Sequence, residues 1–469
     1  MCELTLYEAA EYMEGKILQG DRNMRFRKFN VDTRKTVEGE LFFAIRGKRD
    51  GHQFLRDGLE KGASGVVVSQ KIFLNDFKDR GVIFVDDTLV SLQKLAKKII
   101  EKFNPLVIAI TGSIGKTTTK EFTHELISSR LRAKKSYANY NNHIGVPLSI
   151  MELDEKDEAI VLEMAMSSPG EIRKLIEIAP PDVSVITNVN PVHLEFFPSI
   201  EQIALAKKEI LEGTKINGKA VLNGDDILVK KISNDFRGER IFFGEGEKND
   251  ICIENIRSWM PYSYSFSIRY GSRGEYPLNL NNFSYSMVLN LAAALGVSYI
   301  LGIEFPSLKK KIERLRPFEM RGNIIELENG ILLIDESYNS NPKALEMALN
   351  EFSKMKNKKK IAVLGDMLEL GKDSEKYHRE IGKLISNLHI SMLITVGETS
   401  MLISEEAVKN GLTPNRTVHF LNSDEASNEI EKFLESDSFI LIKGSRAIGM
   451  DKIVERLVKK FGKTESEEF

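Results

Sequence analysis

Cysteine is nearly absent: Cys2 and Cys252 stand far apart, with no metal-type spacing. That excludes a disulfide framework and a cysteine-based zinc site, and it fits a reducing compartment. Long apolar runs are missing too; none approaches the roughly 20 residues that a bilayer span requires. Glu3, Glu8, Glu11 and Glu14 interrupt the stretch where a secretory leader would need an apolar core. A cytoplasmic protein without membrane contact is therefore expected. Nor is there an excess of either charge. The chain has 66 basic and 68 acidic residues, a net charge of -2, and the two signs are mixed along it, which argues against a nucleic-acid partner. Internal repeats and low-complexity segments are also lacking.

What remains is an ordinary globular composition, 42% hydrophobic over 469 residues. That length exceeds one core and predicts about three domains. Changes in rhythm place them at 1–103, 104–314 and 315–469.

The most informative stretch runs from Val107 to Thr119. An apolar, β-branched run reads as a buried parallel strand. It breaks at Gly112 and Gly115 and then passes Lys116 and Thr117 into a helix-compatible segment. This is the recipe for a phosphate site: turn amides and a helix N-terminus face the anion, and lysine adds a point charge. The threonine hydroxyl can ligate Mg²⁺. One glycine of the general pattern is missing, because Ile110 stands five positions before the Gly115-Lys116 pair.

Two more apolar strands follow, Ala159 to Leu162 and Val183 to Ile186. Glu163 ends the first, and Asn188 and His193 come just past the second. In doubly wound α/β sheets ligands bind outside the carboxyl ends of the strands. Lys116, Glu163 and His193 are thus delivered to one edge, and Thr117 with Glu163 offers the hard oxygens that suit Mg²⁺. Residues 251 to 280 alternate and predict antiparallel strands. In the first unit, strands are expected at Phe42–Ile45, Gly65–Val68 and Val82–Val85, with an amphipathic helix around Leu92 to Ile99. The last unit repeats the α/β rhythm without a phosphate loop, with strands near 331–334, 361–364, 393–396 and 439–442.

The shortened loop Thr111-Gly112-Ser113-Ile114-Gly115-Lys116-Thr117-Thr118 resembles that of the Mur ligases. So do Asn139-x-Asn141-Asn142-x-Ile144-Gly145-x-Pro147, and Thr187-Asn188 followed by His193-Leu194-Glu195. Asp335-Glu336-Ser337-Tyr338-Asn339-Ser340-Asn341-Pro342, Leu364-Gly365-Asp366-Met367-Leu368-Glu369-Leu370-Gly371 and Lys443-Gly444-Ser445-Arg446 are similar to segments of the family branch that adds D-alanyl-D-alanine. The alternatives are another Mur ligase or a folylpolyglutamate synthase-like enzyme; the latter normally lacks the first unit.

The resemblance implies an α/β fold of three domains. A central P-loop ATPase domain with a parallel sheet is flanked by an N-terminal UDP-binding domain and a C-terminal Rossmann-like domain. It implies an ATP-dependent amide ligase acting on a UDP-muramoyl tripeptide through an acyl phosphate, working on small molecules as a monomer. Gly112, Ser113, Ile114, Gly115, Lys116, Thr117 and Thr118 would hold ATP, with Asn290, Arg321 and Asp335 near its base, phosphates and ribose. Lys116, Glu163, His193 and Lys207 would be catalytic. Two Mg²⁺ sites would use Thr117, Glu163, His193 and Lys207, the last as a carbamate. Thr33, Arg34, Gly47, Asp50, Gly51, His52, Asn141 and Asn142 would contact the UDP substrate, and Asn339 and Asn341 the incoming dipeptide. The chain departs from the family at Ser284, Ser286 and Met287, where Gly-x-His-Asn is common before the adenine-side Asn290.

Overall fold

The computed structural model describes residues 2–73, 75, 78–192, 194–260, 262–356 and 358–462. Three α/β sheets succeed one another along the chain, with a small ribbon pairing Leu4–Thr5 and Arg25–Phe26 beside the first. The first sheet has five strands. Lys28–Asn30, Glu40–Phe43, Gly65–Val68 and Gly81–Phe84 run parallel, and Lys16–Gln19 is an antiparallel edge.

The central sheet has nine strands. In spatial order they are Ala133–Lys135, Ala159–Glu163, Leu106–Thr111, Val183–Ile186, Lys219–Asn223, Glu239–Gly244 and Ile251–Met260, all parallel. Ser263–Tyr270 and Glu275–Asn281 then continue it antiparallel. The third sheet orders Asn323–Glu326, Leu332–Glu336, Ser438–Lys443, Lys359–Gly365, Met392–Val396 and Thr417–Phe420, parallel except at the first strand. Among the described residues, no helix is long and apolar enough to cross a membrane.

The inner parallel strands, such as Gly65–Val68, Ala159–Glu163, Val183–Ile186 and Ser438–Lys443, are buried along their whole length and rich in apolar residues, whereas Lys28–Asn30, Ala133–Lys135 and Thr417–Phe420 at the sheet edges are only partly buried. One expected strand shifts: it covers Glu40–Phe43 rather than Phe42–Ile45. Ile45 N–H turns back onto the Phe43 carbonyl at 2.9 Å, and the Ala44 carbonyl accepts the Thr88 hydroxyl, so the chain leaves the ladder there. The amphipathic helix is Thr88–Phe103. It does more than close the first unit: its apolar residues Leu92, Leu95 and Ile99 belong to a core that also contains Val107, Ile160 and Leu162. One face of the central sheet and the first sheet therefore share a core.

The third sheet joins the central one differently. Tyr262, in the turn between two central strands, is buried among Ile334, Leu345, Leu349 and Phe352 of the C-terminal part. Beside it, Glu351 on the helix Pro342–Ser353 accepts the Tyr264 hydroxyl at 2.7 Å and the Tyr285 N–H at 3.1 Å. Burial pushes the Glu351 carboxyl up to about 8, opposed by the Tyr264 hydrogen bond and assisted by the charge of Glu336. The folded state thus keeps a proton that the unfolded chain releases near the ordinary value of 4.5. Its stabilisation is complete below that value and is lost as pH rises through about 8. Melting temperature should accordingly fall with rising pH across this window, and Glu351→Gln should flatten that slope; an unchanged slope in the variant would contradict the assignment.

Candidate active site

The strand Leu106–Thr111 runs into Gly112, and the helix Lys116–Ile127 begins after Gly115. Both glycines are required. Gly112 has φ +150° and a Cβ there would meet Thr187 Oγ1 at 1.9 Å; Gly115 has φ +86° and would meet Asn290 Oδ1 at 2.2 Å. The next loop clamps the turn from the side. Asn188 Oδ1 accepts the Ile114 N–H at 2.9 Å, Asn188 Nδ2 donates to the Ile114 carbonyl, and Ser113 exchanges hydrogen bonds with the Asn190 backbone. Asn188 therefore shapes the phosphate loop.

Beneath the loop, Thr117 Oγ1 donates to Glu163 Oε2 at 2.8 Å, and Asn141 Nδ2 donates to Glu163 Oε1 at 2.8 Å. Glu163 is only 2% exposed and Thr117 only 3%, so this carboxylate is held by hydrogen bonds rather than by water. Lys116 Nζ rests on the carbonyls of Gly112 at 2.8 Å and Ser113 at 3.3 Å. Burial lowers its pKa, with Glu163 opposing and Arg321 adding to the shift.

Lys207, on the helix Ile200–Glu212, is 2% exposed and has no hydrogen-bond or ion-pair partner among the described residues. Its pKa lies well below the ordinary lysine range, first through burial and then through repulsion by Lys116. The adjacent Lys208 instead pairs with Asp235 at the surface. His193 lies outside the described residues.

A cleft of about 690 Å³ opens over the loop. One wall carries Ser113 to Thr118, Glu163 and Asn290; the facing wall carries Arg321, Glu336, Tyr338, Asn339, Asn341 and Lys443 from the third sheet. Arg321 stacks on Tyr338 at 3.8 Å, with its Nε buried and unpartnered among the described residues. Lys443 pairs with Glu336 at 2.8 Å and donates to the Asn339 carbonyl. Asn341 also caps the following helix, accepting the Ala344 N–H at 2.9 Å. Asp335 is not among the residues that line the cleft, and its Oδ1 is taken by the Ser337 N–H and hydroxyl.

The other expected contacts lie elsewhere. Thr33 and Arg34 follow the strand Lys28–Asn30, and Gly47 to His52 follow its parallel neighbour Glu40–Phe43, so both loops leave the same sheet edge. The second loop is ordered rather than merely solvated. His52 Nε2 accepts the Ser69 N–H at 3.0 Å, which leaves Nδ1–H to donate to Asp50 at 2.6 Å. Gly51 packs against the backbone of Ala44 and Ile45, where a Cβ would come within 2.8 Å. Asn142 Oδ1 accepts the Ile144 and Gly145 N–H groups where the helix Gly145–Ile150 begins. Asn141, expected beside the UDP substrate, donates to Glu163.

Strand, glycine turn, lysine, threonine and a buried carboxylate, facing a second α/β sheet across a cleft, define a P-loop nucleotide-binding protein. The Mur ligase middle domain matches residues 110–298, and the Mur ligase glutamate ligase domain matches residues 320–446. The UDP-N-acetylmuramoyl-tripeptide–D-alanyl-D-alanine ligase of Bacillus subtilis is 34% identical over 92% of both chains. That of Haemophilus influenzae is 32% identical over 98% of this chain and 99% of its own. MurF from Thermotoga maritima, solved with ADP, superposes with a TM-score of 0.79 at 30% identity, covering 92% of this chain and 97% of its own. The chain belongs to the Mur ligase family, and its three-sheet architecture is that of the family.

Proposed function

We propose that the protein joins D-alanyl-D-alanine to UDP-N-acetylmuramoyl-tripeptide at the expense of ATP, releasing ADP and phosphate in peptidoglycan precursor synthesis. The observation that carries this reading is the cleft, with a phosphate loop on one wall and the Glu336–Asn341 segment on the other. Such a site can activate a carboxylate on one side and receive an amine from the other.

The tripeptide carboxylate takes the γ-phosphoryl group, and the dipeptide amine then attacks the acyl phosphate. Lys116 and the loop amides stabilise the charge on the phosphoryl group in flight. Arg321, stacked on Tyr338 and with its Nε unpartnered among the described residues, would meet the same charge from the opposite wall. Thr117 and Glu163 fit Mg²⁺: both are hard oxygen donors, buried and 2.8 Å apart. Among the described residues no cluster of three His, Cys, Asp or Glu gathers. An ion held by Thr117 and Glu163 would be completed by phosphate and water oxygens. Bound there, Mg²⁺ would neutralise phosphate charge. A second ion would fall to His193 and to Lys207 as a carbamate, a conversion that needs the neutral amine which burial favours.

Asn290, against the phosphate loop, would serve the base side of the nucleotide, and Asp335, outside the cleft lining, would come to the ribose only on domain closure. The Thr33–Arg34 and Gly47–His52 loops would hold the UDP moiety, and Asn339 and Asn341 the dipeptide. We place the domain boundaries near 103 and 314, and the enzyme in the cytoplasm as a monomer. Convergence of three domains on one reaction requires closure over the substrates.

Phosphate release from ATP is expected only when UDP-muramoyl-tripeptide and D-alanyl-D-alanine are both present. Equal turnover with glutamate as acceptor, or none with the dipeptide, would contradict the reading.

A further inference from the structure

One buried cation has no part in the chemistry just described. Lys120 lies one helical turn beyond Lys116 on the same helix and is 0% exposed. Its three N–H donors are all used: 2.8 Å to the Ser136 carbonyl, 2.8 Å to the Ala138 carbonyl and 3.1 Å to Glu121 Oε1. Glu121 in turn pairs with Lys135, just before this loop.

The loop that Lys120 pins is the one that holds Glu163. Ser136 Oγ accepts the Glu163 backbone N–H at 3.1 Å, and five residues later Asn141 Nδ2 holds the Glu163 carboxylate. Between them Ala138 adopts φ +44°, a left-handed conformation that a non-glycine residue keeps only where its surroundings impose it. The Ala138 carbonyl is one of the two that Lys120 grips. Ser136 N–H on the Val161 carbonyl and Ala165 N–H on the Asn141 carbonyl fasten the loop to Glu163's own strand and its exit.

We propose that Lys120 is a positioning residue for metal binding: it holds the Ser136–Asn141 loop so that Glu163 meets Thr117 in ligating geometry. One helix thereby presents Lys116 to the phosphates and, a turn later, fixes the carboxylate opposite them. Partners that orient a metal ligand without touching the ion commonly change metal affinity about 10–100-fold when removed.

The inference rests on Thr117 and Glu163 holding Mg²⁺, and calorimetry of ADP binding with and without Mg²⁺ separates the two claims. In the unmodified protein Mg²⁺ should tighten ADP binding; if it does not, the metal assignment itself fails. In Lys120→Met, melting temperature should fall, because two loop carbonyls lose their donor, but metal-free ADP affinity should stay near its original value while the Mg²⁺-dependent tightening falls about 10–100-fold. Ser136→Ala leaves Lys120 and its carbonyl contacts in place and removes only the hydroxyl under Glu163, so it should show a smaller loss of the same kind. It decides the matter if Lys120→Met does not fold. Full Mg²⁺ tightening in whichever variants fold, or an equal loss of ADP affinity with and without the metal, would overturn the proposal.

Discussion

Replacing Lys116 with alanine is expected to lower kcat/KM by about 10²–10³-fold while leaving the fold intact. The ammonium sits at the base of the phosphate loop, donating to the Gly112 and Ser113 carbonyls, and burial already depresses its pKa. Its charge therefore contributes little to folding and much to an incoming polyphosphate. Its contacts in the fold are two loop carbonyls, so the variant should melt close to the original temperature. Steady-state kinetics beside a thermal melt checks both halves. A variant that unfolds, or one that retains full turnover, contradicts the role.

Lys207→Ala should nearly abolish turnover, and acetate or formate should partly restore it. A buried lysine with no partner among the described residues, depressed by burial and by a neighbouring cation, is an unfavourable ammonium. As a carbamate it becomes an anion, and repulsion from Lys116 becomes attraction. A small carboxylate can occupy the space left by the shortened side chain and supply the missing negative charge. Wild-type activity in the alanine variant, or no response to added carboxylate, removes the carbamate from the account. The Lys208→Ala variant is the control, since its side chain pairs with Asp235 outside the site.

Much of the fold was legible because parallel strands buried on both faces have no polar alternation, so runs such as Val107–Ile110 and Ile361–Leu364 stand out in the chain. The carboxyl-end rule then placed Glu163 near Lys116 before any contact was known. The strand at Glu40–Phe43 was misplaced by two residues because Ala44 and Ile45 are apolar yet bend out of the ladder. Contacts set by loops were harder to read. Nothing in Asn141-Asn142 distinguishes the amide that grips Glu163 from the one that accepts the backbone N–H groups of Ile144 and Gly145. The insertion of Tyr262 into the core of another domain joins residues some seventy or more positions apart, and a single sequence has no periodicity for that. Lys120 did leave a trace: a lysine four residues after Lys116 falls on the same face as the buried threonines.

The central claim is that ATP activates the peptide carboxylate as an acyl phosphate. The most direct test labels the terminal carboxylate of UDP-muramoyl-tripeptide with ¹⁸O, runs the reaction to completion with D-alanyl-D-alanine, and weighs the inorganic phosphate by mass spectrometry. Attack of the carboxylate on the γ-phosphorus leaves its oxygen bridging, and the bond to carbon breaks when the amine adds. The account predicts one ¹⁸O in each phosphate released. Unlabelled phosphate, or AMP and pyrophosphate as products, would contradict it.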